Sequence, residues 1–277
     1  MLKCTKMNGN GNDFLVINNL DKGLSTEFLS ELAVKACRRR EAVGADGLLI
    51  AEPSERCDFK MRLFNSDGSE GEMCGNGSRC IARFALEEGI VEKNEMVFET
   101  LGGDIHAWTE GRRASIEIAQ VDPAEAVLGA VLEAEGVSVT YSTLIVGVPH
   151  TVVFEKEHSL SDAGYRELGR AIRNMQELFP RGTNVNFAAP GENPGSLDVI
   201  TYERGVEDLT LSCGTGSTAS VIAGWLTGLC GPEVSVKNPG GVNNIRLRRL
   251  ENGKILPALE GEVLRVAEFE LTKEILR

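Results

Sequence analysis

The chain carries one short motif twice, separated by half its length. Cys74–Ser78 (CGNGS) matches Cys213–Ser217 (CGTGS), and the second cysteine follows the first after half of the chain has passed. Two further pairs keep nearly the same offset: Gly44–Leu48 with Gly182–Asn186, and Asn65 with Arg204. Self-similarity at a constant offset is typical of a repeated structural unit. The sequence therefore predicts two copies of one unit.

Short strand-like segments alternate with four helical ones, which predicts a mixed α/β fold. The helices are expected to begin after Ser25, Cys74, Ser161 and Cys213. The two that follow the cysteines are expected to stop at Gly89 and Gly228, because glycine commonly ends a helix. We expect a first lobe over residues 1–120, which the C-terminal strand of about 265–277 could rejoin, and a second over 121–264. A linker is expected near Asp122–Gly136.

Charge and composition exclude several classes of protein. Acidic residues outnumber basic ones, 41 to 29, for a formal net charge of −12, which argues against a nucleic-acid partner or an anionic membrane surface. No apolar run is long enough to span a bilayer and the N-terminus lacks a signal core, so we expect no membrane association and a cytoplasmic location. Seven irregularly spaced cysteines without a CxxC pair, and only three histidines, predict neither a disulfide framework nor a metal site.

The repeated motif places a thiol at the start of a helix in each copy. The first-turn amides of a helix have no intrahelical partner, and the helix dipole adds partial positive charge, so a carboxylate fits there. A thiol at the same end has its thiolate favoured, which lowers its pKa. Each copy therefore offers a cradle for a carboxylate and a reactive sulfur.

Two such copies facing one substrate would suit a two-base racemisation or epimerisation. One thiolate removes the α-proton from one side of the carbon, and the opposing thiol delivers a proton to the other side. General acids and bases work best with a pKa near the operating pH, which a helix-end cysteine can reach. This scheme requires no cofactor, and no phosphate-binding GxxxxGK[ST] loop is present.

On local sequence alone, the other candidate positions have ordinary structural interpretations. The five remaining cysteines are typical of small buried side chains. His150 could simply end a strand, and Glu203 with Arg204 could be a solvated charge pair.

The chain as a whole resembles the diaminopimelate epimerase family. The motifs that carry the resemblance are Gly9–Phe14, Gly44–Gly47, Asn65–Glu70, Glu72–Cys80, Pro149–His150, Thr183–Phe187, Glu203–Asp208 and Cys213–Gly216. The resemblance implies an α+β (mixed α/β) fold of two pseudo-symmetric lobes, each a mostly antiparallel or mixed sheet wrapped around a central helix. It also implies cofactor-independent epimerisation of LL-2,6-diaminopimelate to meso-diaminopimelate, in lysine and peptidoglycan precursor biosynthesis.

The resemblance assigns roles to individual residues. Cys74 and Cys213 would be the acid/base pair, with His150 and Glu203 beside them. Backbone amides that would bind the reacting carboxylate belong to Gly75, Asn76, Gly214 and Thr215. The rest of the diamino diacid would contact Asn12, Asn65, Asn184, Glu203 and Arg204. An arginine suits the distal carboxylate because its guanidinium can bind both oxygens.

One departure from the family pattern concerns substrate contacts. Many members have Asn where this chain has Val148, whose side chain cannot hydrogen-bond to the distal end of the substrate. A racemase of another amino acid on the same fold therefore remains an alternative, although Asn76 argues against the proline racemase type, which usually has His there. A non-catalytic module that binds a carboxylate is the alternative from another class. A homodimer is left open.

Overall fold

The computed structural model describes residues 1–276, and these form two compact units. The first unit comprises Met1–Ile116 together with the residues from Glu260 onward, whereas the second comprises Glu117–Leu259. Along the chain, the second unit is thus inserted into the first. Within residues 1–276, no helix is both long and apolar enough to cross a membrane.

The first unit contains helices α1 (Thr26–Ala36) and α2 (Gly75–Glu87). Its strands are β1 (Leu2–Gly9), β2 (Asn12–Asn18), β3 (Gly47–Glu52), β4 (Phe59–Asn65), β5 (Glu70–Gly71), β6 (Glu95–Thr100), β7 (Gly103–Glu110), β8 (Arg113–Glu117) and, far along the chain, β17 (Ile255–Leu271). The second unit contains α3 (Asp162–Arg173) and α4 (Gly214–Thr227). Its strands are β9 (Val127–Ala134), β10 (Val137–Val146), β11 (Val148–Phe154), β12 (Asn184–Pro190), β13 (Leu197–Glu203), β14 (Asp208–Thr210), β15 (Glu233–Asn238) and β16 (Gly241–Arg249).

Eight strands of the first unit close into a barrel. Their hydrogen bonding runs in the order β1, β2, β3, β4, β6, β7, β8 and β17. Strand β17 then pairs back onto β1, antiparallel, with Leu2 opposite Leu271 at one end and Gly9 opposite Val263 at the other. The short strand β5 is an addition on the side of β4.

The fold class that we expected, α+β (mixed α/β) with sheets wrapped around a central helix, is wrong. The structure is mostly sheet, with 44% strand against 21% helix, and it forms a closed eight-stranded barrel with extra strands. Closure depends on β17, which pairs with both β8 and β1 and so leaves neither as an open edge. Strands β1 and β17 come from opposite ends of the sequence, and local periodicity carries no signal of such a pairing.

Strands of the second unit pair in the order β9, β10, β11, β12, β13, β15 and β16. The pairs β11–β12 and β13–β15 are parallel and the others antiparallel, and β14 adds to the side of β13. The segment Asp122–Gly136 is not a linker, because it contains β9, which pairs with β10.

The helix positions predicted from the sequence are confirmed. Ser25 and Ser161 cap α1 and α3, each accepting a hydrogen bond from a first-turn amide at 3.3 Å. Helix α4 ends at Gly228, whose φ of +78° is the left-handed conformation that glycine favours. Helix α2 ends at Glu87, shortly before Gly89.

Both cysteine-led helices are buried for most of their length. In the first unit, α2 contacts β1, β2, β3, β4 and β7, and in the second, α4 contacts β10, β11, β12, β13 and β16. Such burial removes the freedom of each helix to shift or rotate, because protein interiors are close-packed. The first turns of both helices are therefore held in fixed positions by the strands around them.

A polar cluster in the second unit ties the segment after β11 to β13. His158 Nε2 lies 3.1 Å from the carbonyl oxygen of Asp198, and its Nδ1 lies 3.1 Å from Glu155 Oε2. The hydroxyl of Tyr165 donates to the same Glu155 oxygen at 2.8 Å. The hydrogen bond with Glu155 raises the pKa of His158, although partial burial acts in the opposite direction.

This cluster predicts a pH-dependent contribution to stability. The pKa of His158 is higher in the folded protein than in the unfolded chain, where it is about 6.5. Protonated His158 therefore stabilises the fold fully at a pH below the unfolded pKa. This stabilisation is lost as the pH rises through the pKa of the folded state. His158→Gln should therefore lower the free energy of unfolding more at acidic than at alkaline pH, as measured by urea denaturation on both sides of neutrality. His106→Gln, at an exposed position on β7, is the control. An equal loss under both conditions for His158→Gln would contradict the prediction.

Candidate active site

Cys74 stands at the start of α2. Its backbone is extended (φ −137°, ψ 123°), and its carbonyl oxygen accepts the first helical hydrogen bond from the amide of Ser78 at 2.7 Å. The side chain is half-buried, and Sγ donates to Oδ1 of Asn12, the first residue of β2, at 3.5 Å. The sulfur therefore lies at the end of the helix where the first-turn amides point outward.

Two asparagines adjoin this sulfur, and their orientations follow from their other partners. Nδ2 of Asn12 donates to Oδ2 of Asp46 at 2.6 Å, so that its carbonyl oxygen faces Cys74 and Asn76. Asn76 is buried, and its Nδ2 lies 3.5 Å from Asn12 Oδ1. The structure thus brings Asn12, Cys74 and Asn76 of the predicted set together.

Asn65 occupies a different place in the first unit. It ends β4 and opens a tight turn, where its Nδ2 donates to Ser69 Oγ at 3.0 Å and its amide donates to the Ser69 carbonyl at 2.8 Å. Its side chain is exposed. Asn65 therefore lies on a turn held by hydrogen bonds between Asn65 and Ser69. It is separate from the group formed by Asn12, Cys74 and Asn76.

Cys213 begins α4 in the second unit. It is buried, at 6% exposure, and its Sγ accepts a hydrogen bond from the amide of Gly216 at 3.4 Å. The hydroxyl of Thr215 lies 3.5 Å from the same sulfur. The sulfur itself thus acts as the helix cap, and a sulfur that accepts from an amide has its thiolate favoured.

His150, on β11, is completely buried. Burial lowers the pKa of its imidazole to about 3, and the positive charge of Arg204 acts in the same direction. Asn186 Nδ2 donates to His150 Nδ1 at 3.2 Å, which places the proton of the neutral ring on Nε2. Among residues 1–276, the structure shows no partner for that Nε2, so this N–H is available as a donor.

Glu203 and Arg204 follow at the end of β13. Burial raises the pKa of the Glu203 carboxyl. The backbone amide of Arg204 donates to Oδ1 of the buried Asn184 at 2.8 Å, and its guanidinium donates to the carbonyl oxygen of Arg181 at 2.8 Å. His150 lies opposite Asn184 in the parallel pairing of β11 with β12. Three adjacent strands therefore hold His150, Asn184 and the Glu203–Arg204 pair.

The sequence model of diaminopimelate epimerase matches residues 4–127 and 142–258. The chain belongs to the diaminopimelate epimerase family. It is accordingly an isomerase. Relatives named diaminopimelate epimerase include those of Caldanaerobacter subterraneus, at 40% identity over 98% of this chain and 99% of the relative, and of Aquifex aeolicus, at 41% identity over 98% of both.

Solved structures of more distant proteins share the fold. A PhzF-family phenazine biosynthesis protein of Bacillus anthracis superimposes with a TM-score of 0.75 at 16% identity, covering 98% of this chain and 99% of the other. A probable proline racemase of Agrobacterium radiobacter superimposes with a TM-score of 0.74 at 16% identity, covering 99% and 93%. At this identity the likeness concerns the fold alone.

Sequence reasoning did not single out Asn186, although it stood in a family motif. Its amide nitrogen donates to His150 and to the carbonyl oxygen of Thr151, and its Oδ1 accepts from Thr201. A polar residue between the apolar Val185 and Phe187 of β12 was the available signal, because a buried amide must have its hydrogen bonds satisfied. Asn186 therefore sets the tautomer of His150.

Gly216, in the first turn of α4, packs against the side chain of Asn186. A Cβ at Gly216 would lie 2.2 Å from Asn186 Oδ1 and 3.2 Å from the Cβ of Cys213. Gly216→Ala should therefore lower the free energy of unfolding by about 1–3 kcal/mol, the usual cost of overpacking. It should also slow the alkylation of Cys213, because it displaces the Gly216 amide that donates to the Cys213 sulfur. Urea denaturation and peptide mass spectrometry measure the two effects.

The matched control is Gly231→Ala, where an added Cβ meets nothing within 4 Å. It should change neither quantity. Wild-type stability in Gly216→Ala would contradict the described packing of Asn186 on the start of α4.

Proposed function

We propose that this chain epimerises LL-2,6-diaminopimelate to meso-diaminopimelate, with Cys74 and Cys213 as its acid/base pair. The observation that carries the proposal is the repeated start of a buried helix, in which a cysteine is the N-cap residue in each unit. Membership of the family supports the same reaction.

Each turnover moves one proton off the α-carbon and another onto it. The thiolate of one cysteine takes the α-proton and becomes a thiol, leaving a carbanion whose charge is shared with the carboxylate. The thiol of the other cysteine then gives its proton to the opposite face of the carbon and becomes a thiolate. The amides of Gly75, Asn76, Gly214 and Thr215 bind the carboxylate, where the negative charge grows.

The remaining residues recognise the rest of the substrate and tune the thiols. Asn12, Asn65 and Asn184 bind polar groups of the diamino diacid, Glu203 faces an ammonium group, and Arg204 binds the distal carboxylate. His150 and Glu203 also act beside the cysteines, His150 as a neutral imidazole whose proton is on Nε2.

The scheme uses only side chains and backbone amides, so it needs no cofactor. We also propose a cytoplasmic location, where thiols stay reduced, and a homodimer as the assembly. Val148, half-buried at the start of β11, favours one alternative: a racemase that acts on another amino acid. A panel of amino acids with deuterium wash-in separates the two activities.

Replacing either cysteine should remove the acid/base function. Cys74→Ser and Cys213→Ser should each lower kcat for LL-diaminopimelate by about 10²–10⁴-fold, because a serine hydroxyl is a poor acid or base at neutral pH and general acid–base catalysis contributes that much. The measurement is the rate of deuterium incorporation at the α-carbon in heavy water, with no cofactor added.

Cys57→Ser, in a loop of the first unit, is the matched control and should exchange at the wild-type rate. Full turnover in either active-site variant would contradict the two-thiol scheme. If the wild-type protein bound diaminopimelate without any exchange, it would be a non-catalytic module that binds a carboxylate.

Arg204→Gln tests the recognition of the distal carboxylate. Loss of a charged hydrogen bond of about 1.5–3 kcal/mol corresponds to a rise in KM of about 10–100-fold, with a smaller change in kcat, because the distal group does not react. Arg181→Gln is the control, since Arg181 holds Arg204 through its backbone carbonyl. An unchanged KM in Arg204→Gln would show that another group binds the distal carboxylate.

A further inference from the structure

A buried arginine lies in the second turn of α2, whereas the matching position of α4 holds a threonine. Arg79 and Thr218 each directly follow the CGxGS motif of their own copy, and both are completely buried. Thr218 donates its hydroxyl to the carbonyl oxygen of Gly214 at 2.9 Å, an ordinary bond within a helix. The repeat therefore keeps the cysteine in both copies but a cationic side chain in only one.

The guanidinium of Arg79 lies beside the first turn of α2. Helical side chains lean towards the N-terminus of their helix, and Nη2 of Arg79 donates to Asn76 Oδ1 at 2.8 Å. Strand β17 makes room for the group at Gly261, because a Cβ there would lie 3.0 Å from Cζ of Arg79. The hydrogen bond turns the Asn76 amide nitrogen away from Arg79, towards Asn12.

The charge of Arg79 acts on the cysteines of the same helix. Burial lowers the pKa of Arg79, and the neighbouring sulfurs of Cys80 and Cys74 act in the opposite direction. Arginine nevertheless stays protonated in proteins. The interaction is reciprocal, so a guanidinium that is favoured by a sulfur also favours the thiolate of that sulfur.

A nearby positive charge matters for the Cys74 thiolate because of the hydrogen bond that the Cys74 sulfur makes. Its Sγ donates to Asn12 Oδ1, an atom that can only accept, and Asp46 holds that orientation through the Asn12 amide nitrogen. This bond favours the thiol. The Cys213 sulfur differs, because it accepts from the amide of Gly216.

We propose that Arg79 is a positioning residue that makes Cys74 competent as a base, by orienting the Asn76 amide and by supplying the positive charge that supports the Cys74 thiolate. The inference rests on the proposed function, since it concerns how one of the two thiols is activated.

Arg79→Met tests the charge in the full-length protein. Iodoacetamide alkylation of each cysteine, followed by peptide mass spectrometry over a range of pH, reports the thiolate fraction without any substrate. The pH midpoint for Cys74 should rise by about 1 unit, the size of shift that one nearby charge produces, and its rate at neutral pH should fall about tenfold, in proportion to its thiolate. The rate for Cys213 should not change. The charged and titratable groups nearby, which include Asp46, Cys80 and the Arg39 that pairs with Asp46 at 2.9 Å, are retained.

Arg83→Met is the matched control, because it removes the same charge from the next turn of α2, where the guanidinium pairs with Glu87 at 2.8 Å. It should leave both alkylation rates unchanged. Arg79→Lys, which keeps the charge but loses the planar group, should recover most of the Cys74 rate while raising KM, because the hold on Asn76 is weakened.

An unchanged Cys74 rate in folded Arg79→Met would overturn the proposal. Should that variant fail to fold, Gly261→Ala displaces the guanidinium without removing a polar group, and an unchanged ratio of Cys74 to Cys213 alkylation there would overturn it equally. Because the readout needs no turnover, failure of this inference is distinguishable from failure of the proposed epimerisation.

Discussion

The first-turn amides of two buried helices are the interaction on which the rest of the structure depends. Such amides have no partner within their own helix, and they carry partial positive charge. The strands that α2 and α4 contact hold these helix ends in fixed positions, and the glycines after Cys213 allow close packing there, because a Cβ at Gly214 would lie 2.6 Å from Leu259. In the proposed function, the remaining residues named for the site adjust the cysteine sulfurs or recognise groups of the substrate.

The two units use the same helix start in different electrostatic settings. The Cys74 sulfur donates to the side-chain carbonyl of Asn12, and a buried arginine holds the neighbouring Asn76, whereas the Cys213 sulfur accepts from a backbone amide. In the proposed two-thiol reaction, each direction requires one thiolate and one thiol, so the two cysteines must be close in proton affinity although their surroundings differ.

Sequence reasoning succeeded where the signal was local. Serine caps and the repeated CGxGS motif predicted where helices begin, because capping depends on a few neighbouring residues. It failed on the fold class, because closure of the barrel depends on β17 meeting β1 and β8 across most of the chain. Among site residues, Arg79 and Asn186 were overlooked because an arginine in a helix and an asparagine in a strand are ordinary until their burial is known.

The insertion of the second unit into the first has a consequence for synthesis on the ribosome. Strand β17 emerges after the whole second unit, so until then β1 and β8 have exposed backbone edges that β17 will later cover. Open edges of this kind are templates for pairing with other chains. The second unit can complete its own sheet first, whereas the first unit stays unfinished and prone to aggregation from the synthesis of β8 until that of β17, while about half of the chain is made.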